Sequence, residues 1–290
     1  VAIGLLAIGS LAAGLSGAQT GPAVDRVTWI TGVAPAGTGE KLRPGPFSFR
    51  LEAFIESRWP EVKHVMITAN PLRAVKMLAD GEPACVLTFA HTPERERMVY
   101  FSDVLLEPPP EVIVRKDRQH LLPRNASGEV VLSQLLVDKR LRGAVVRGRS
   151  YGKFVDEALE KAPSTGELTR YAAADFGSNI IVMVGMGRLD YTIVRDMGTE
   201  LEISPKDSLA DTLVAEPIEG ANTPERAGVA CPRTPWGRAV IERVDAIMST
   251  PEGVALLRAE TERGMSAAER HRFANQINAL FHERARANER

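Results

Sequence analysis

Residues Val62 to Thr88 read V-K-H-V-M-I-T-A-N-P-L-R-A-V-K-M-L-A-D-G-E-P-A-C-V-L-T. Val62 to Thr68 is β-branched and apolar, the composition of a strand. Asn70 then Pro71 reads as a helix start. The Asn side chain accepts from an orphan N–H, and a proline at the first helical position has no N–H to leave unpaired. The helix runs to Ala79, with Gly81 just beyond its end. Ala84 to Thr88 is a further strand. Strand, helix and strand joined this tightly imply parallel strands with a right-handed crossover.

The pattern extends in both directions. Val27 to Thr31 (V-T-W-I-T) is a strand, and Gly32 to Pro46 is a Gly/Pro-rich loop. Phe47 to Trp59 places Phe47, Leu51, Phe54 and Ile55 at helical spacing before Pro60 stops it. Downstream, strands are expected at Glu111 to Arg115, Gly143 to Val146, Leu168 to Ala172, Asp190 to Val194 and Ala227 to Ala230. Helices are expected at Leu132 to Leu141, Tyr151 to Lys161 and Phe176 to Met186. The end is helical at Trp236 to Met248, Pro251 to Glu262 and Ala267 to Ala287. The two α/β sets are divided at Glu107-Pro108-Pro109-Pro110-Glu111, where three prolines hold the backbone extended. The fold class is therefore α/β, with two sets of parallel units.

Composition narrows the function classes. The chain has 290 residues, Lys+Arg 36 against Asp+Glu 37, and a net charge of -1. A general nucleic-acid binder needs excess cations to release counterions, so no nucleic-acid partner is expected. Two cysteines exclude a multi-disulfide scaffold and a four-thiolate zinc site. Val1 to Ala18 carries no charge, is apolar to Leu15, and ends in Ser16-Gly17-Ala18. This is the pattern of a secretory signal, 1–18, whose positive start is clipped. An uncleaved anchor is the alternative. Export to the periplasm follows from the first reading. The five histidines show no metal-binding spacing, and neither a nucleophile elbow nor a dinucleotide loop is present. No catalytic residue, metal or organic cofactor is implied.

Thr88 to Leu106 reads T-F-A-H-T-P-E-R-E-R-M-V-Y-F-S-D-V-L-L. Its Thr92, Arg95, Phe101 and Ser102 resemble the signature of the bacterial extracellular solute-binding proteins of family 3, relatives of the amino-acid-binding components of ABC transporters. Gly187-Arg188-Leu189-Asp190, Gly148-Arg149-Ser150-Tyr151-Gly152 and Val229-Ala230-Cys231-Pro232 match further motifs in the same order. The resemblance implies a two-lobed type 2 periplasmic-binding-protein fold with interleaved lobes and a central cleft. It assigns 25–106 and 236–290 to the first lobe and 107–235 to the second. It implies a monomer that captures a small polar or anionic, amino-acid-like solute and works with an ABC permease or a sensor. A dehydratase-like enzyme and a sensory module with a degenerate cleft are the alternatives.

The resemblance also implies a site. Arg95 would take a carboxylate through two parallel hydrogen bonds. Thr88 and Thr92 would add hydroxyls, although helix capping alone accounts for Thr92. Asn70 and Arg73 open a helix whose N-terminus suits an anion, as do Arg149 and Ser150. Tyr151 would close over the ligand, and Trp29 would wall the cleft or lie in the core. The acid that holds the ligand's amine in the family aligns with Arg195, with Asp196 one step on. Cys85 and Cys231 fall on opposite lobes in this layout, which weighs against a bridge, whereas export weighs for one.

Overall fold

The computed structural model describes residues 23–32, 47–163, 167–172, 178–195 and 207–287. The expected signal at 1–18 and most of the loop at 32–46 lie outside them. The first half forms β1 (Arg26–Thr31), α1 (Phe47–Arg58), β2 (Lys63–Thr68), α2 (Pro71–Ala79), β3 (Ala84–Ala90), α3 (Pro93–Glu96) and β4 (Val99–Glu107). The second half forms β5 (Glu111–Arg115), α4 (Leu132–Leu135), β6 (Gly143–Val146), α5 (Lys153–Lys161), β7 (Leu168–Tyr171), α6 (Ser178–Gly185), β8 (Tyr191–Val194) and β9 (Leu213–Pro217). β10 (Glu225–Pro232) follows, then α7 (Pro235–Met248), α8 (Pro251–Arg263), α9 (Ala267–Arg272) and α10 (Ala274–Ala287).

These elements build two five-stranded sheets, ordered β2-β1-β3-β10-β4 and β7-β6-β8-β5-β9. In each, three parallel strands are followed by an antiparallel strand that has crossed from elsewhere. The chain crosses between the sheets twice, at Pro108–Pro110 and between β9 and β10. The stiff proline segment is therefore the first crossing, as expected.

Alternation along the strands gives the first sheet two buried faces. Trp29, Cys85, Leu87 and Val229 pack under α1 and the C-terminal helices, whereas Ile30, Val86 and Ala230 pack under α2. The apolar stripe of Phe273, Ile277, Leu280 and Phe281 lies in the first of these cores. Among the described residues no helix is long and apolar enough to cross a membrane.

Several expectations change. β10 pairs with β3 and β4, so it belongs to the first sheet, and 225–235 does not go with the second lobe. Both cysteines therefore lie in one sheet. They form the Cys85–Cys231 disulfide, with Cα atoms 4.3 Å apart, which corrects their assignment to opposite lobes. The helix expected over Leu132 to Leu141 stops at Leu135 and continues as turns. The last helix divides at Phe273, whose backbone leaves the helical region while its ring enters the core.

The disulfide is fully buried and joins neighbouring strands. Replacing both cysteines, Cys85→Ala with Cys231→Ala, should lower unfolding stability by about 2–5 kcal/mol. Urea unfolding monitored by circular dichroism measures this. Equal midpoints for the variant and the parent would show that the bridge contributes nothing.

Candidate functional site

In an open α/β sheet, ligands bind beyond the carboxyl ends of the strands. Here β2, β3, β6 and β8 deliver Asn70, Ala90 to Arg95, Arg149 to Gly152 and Arg195 at those ends. The two lobes meet there. Leu72 at the start of α2 packs on Gly148 after β6, where an added Cβ would come within 2.9 Å of the leucine side chain.

Arg95 is held from below. Its guanidinium lies over the Phe89 ring, 3.7 Å from the centroid, and donates from Nη1 to the Ala90 carbonyl at 3.0 Å. Burial lowers its pKa to about 10, and Asp156 of the second lobe is the charge that most opposes this. Among the described residues no carboxylate lies within ion-pair distance of it. Phe89 stacks on Phe101, so a planar platform orients the cation.

Across the interface, α5 begins at Gly152 with φ +98°, a backbone state that suits glycine. Ser150 Oγ donates to Asp156 Oδ2 at 2.5 Å, and the Tyr151 N–H donates to Asp156 Oδ1 at 2.8 Å. Asp156 thus folds back onto the donors at its own helix start. Burial raises its pKa, opposed by the bonds from Ser150 and Tyr151 and by the charges of Arg195 and Arg95.

Arg195 is 4% exposed and sits at the crossings. Its Nη2 donates to Glu225 at 2.6 Å, and its Nε lies 3.4 Å from Glu107. Glu107 ends β4 and Glu225 begins β10, so one guanidinium ties β8 to both crossings. Glu225 also accepts from the Lys153 N–H at 3.2 Å. A Cβ on Gly152 would lie 2.5 Å from Arg195 Nη2, so only glycine lets this cluster close.

The remaining sequence candidates are placed as follows. Trp29 is fully buried and donates from Nε1 to His64 Nδ1 at 2.9 Å, so it is core and not cleft wall. Tyr151 is also core, its hydroxyl accepting from the Val146 N–H at 2.8 Å, and does not close over a ligand. Asn70 and Thr92 cap α2 and α3, each accepting from the N–H three residues on. Arg73 is exposed, Thr88 is half-buried, and Arg149 is half-buried with its guanidinium 5.6 Å from the Tyr151 ring centroid. Asp196 lies outside the described residues. Asp190 is buried against Arg118 and Arg142 at the far end of β8, away from this region. The structure therefore brings Arg95, Ser150 and Arg195 to one region. It adds Asp156, Glu107 and Glu225, for which the sequence carries only one local signal, an acid following Ser150 into a helix.

His91 borders the same platform. Its ring stacks on Phe101 at 4.0 Å, with Asp103 2.6 Å from Nδ1 and Glu96 2.7 Å from Nε2. Carboxylates only accept, so both ring nitrogens can donate to them when the imidazole is protonated. Asp103 also pairs with Arg226 at 3.0 Å, and Arg226 reaches Glu283 at 2.8 Å. Among the described residues no cluster of His, Cys, Asp and Glu is arranged to hold a metal ion.

The two sheet orders and the double crossing define the two-lobed periplasmic-binding-protein fold. Solved structures share it at low sequence identity. An amino acid ABC transporter substrate-binding protein from Streptococcus pneumoniae, bound to L-arginine, is 17% identical with a TM-score of 0.59, covering 83% of this chain and 93% of its own. An ancestral arginine-binding protein bound to arginine is 17% identical with a TM-score of 0.60, covering 85% and 100%. A histidine kinase sensor domain with similarity to periplasmic binding proteins is 16% identical with a TM-score of 0.55, covering 90% and 95%. No family model matches the chain, and no curated protein matches it.

The His91 pair gives a pH signature. The hydrogen bond to Asp103 raises the His91 pKa, although burial opposes it. Its stabilisation is therefore complete below the unfolded histidine value, about 6.5, and is lost as pH rises through the higher folded value. The Asp103 pKa is lowered in spite of burial, by His91 and Arg226, so its share is lost as pH falls through the folded value. Relative to His91→Gln, the parent should lose on the order of 1 kcal/mol on the alkaline side, discounted for solvent screening of a half-exposed group. Urea unfolding of both proteins between about pH 5 and 9 tests this. A stability difference that stays flat with pH would refute it.

Proposed function

We propose that this chain is an extracytoplasmic receptor. It captures a small polar or anionic solute, amino-acid-like in bearing a carboxylate, between its two lobes. It then delivers the solute to a membrane ABC permease or reports its presence to a sensor. The observation that carries this reading is Arg95. A guanidinium stacked on Phe89, tied to one carbonyl and facing the other lobe, is a preset receptor for a planar anion.

Other features support the reading. The fold is that of proteins described as amino-acid ABC transporter substrate-binding proteins, and the sensor-domain likeness supports the signalling branch. The Cys85–Cys231 disulfide fits an oxidising compartment outside the cytoplasm. The two crossings, close together around Arg195, form a hinge about which lobes of this kind close. On this reading the second lobe spans β5 to β9 and the first comprises the rest.

Refolding from denaturant strips any carried solute. Thermal unfolding against amino acids, dicarboxylates and polyamines then identifies the class. A bound solute stabilises by RT ln(1 + [L]/Kd), about 2.7 kcal/mol at a hundredfold excess over Kd. Arg95→Ala should abolish the shift for any carboxylate. No shift across the panel would overturn the receptor reading, and an undiminished shift in Arg95→Ala would remove Arg95 from the site.

A further inference from the structure

The donors at the start of α5 already hold an internal carboxylate. At the start of α5, the Ser150 hydroxyl and the Tyr151 N–H are donors directed at one spot, and both are taken by Asp156 at 2.5 and 2.8 Å. Two guanidinium groups act on that carboxylate, Arg95 from the first lobe and Arg195 from the second. Arg95 has no ion-pair partner of its own among the described residues. Arg195 is buried, and its guanidinium is already paired with Glu107 and Glu225. The position therefore offers a hydroxyl, an N–H and the Arg95 cation, with one internal occupant.

Resting on the reading of the cleft as a solute site, we infer that Asp156 is a built-in competitor for the solute's carboxylate. A carboxylate that enters between Arg95 and α5 displaces Asp156 from Ser150 and Tyr151. Two carboxylates cannot share those donors, because like charges at contact in a partly dry site repel strongly. Arg195 cannot relax to take a second anion freely, since Glu107 and Glu225 already neutralise it. The net affinity is the difference between the solute's grip and that of Asp156. Weak anions are rejected, and only a solute with further contacts wins the exchange. Asp156 is thus a specificity-determining residue.

The test uses the full chain, refolded, with acetate, succinate and L-glutamate as separate probes in titration calorimetry. Asp156→Ala should bind at least one of them about tenfold or more tightly than the parent does. Adding Arg95→Ala should remove the gain. Asp156→Asn, which keeps the volume and an acceptor for Tyr151, should gain less, and it carries the comparison if the alanine variant does not fold. Equal or weaker binding in both variants overturns the competitor role and leaves the receptor reading standing, provided that the parent binds. Absence of binding in parent and folded variants alike overturns the competitor role, and the receptor reading then stands or falls on the wider solute panel.

Discussion

A buried guanidinium at the junction of the two lobes constrains everything around it. Removing one charge from water costs several kcal/mol unless partners replace the solvent. Arg195 obtains them from Glu107, from Glu225 and from the Pro108 carbonyl, the three groups that the two crossings bring closest. This arrangement fixes where β8 ends relative to β4 and β10. Through Glu225 and the Lys153 N–H it also fixes where α5 begins. The start of α5, which carries Asp156, is therefore held by ion pairs at the crossings as well as by packing.

The parallel units were legible in the sequence because their signals are local. Asn70 and Pro71 state a helix start without reference to any other segment, and the structure places α2 there with Asn70 as its cap. β4 carries no comparable local signal. Its run carries Ser102 and Asp103 in the middle, and their roles appear only in three dimensions. Ser102 donates to Asp245, and Asp103 pairs with His91 and Arg226. The return strand is legible as a strand, but its sheet is not. Membership depends on pairing with β3 and β4, which residues 225–232 do not encode by themselves.

The site shows the same division. Ser150 is legible as a donor at a strand–helix junction, whereas Arg95 is singled out only by the motif that the family resemblance carries. Trp29 and Tyr151 misled because each is amphipathic. A polar tip suggests a ligand contact until it is seen to be satisfied inside, by His64 in one case and by the Val146 N–H in the other. Asp156, Glu107 and Glu225 were invisible as site residues. An acidic residue on a helix or at a strand end is ordinary, and only tertiary convergence around Arg95 and Arg195 distinguishes these three.

The Cys85–Cys231 bond spans 146 residues of chain, and both crossings and the whole second sheet lie between its ends. Topologically, the second lobe is an arc of a closed covalent ring whose clasp lies inside the first lobe. A single backbone cut anywhere from β5 to β9 would open that ring without separating the pieces, because the clasp still joins them. The covalent integrity of the molecule is thus decoupled from the continuity of its second lobe.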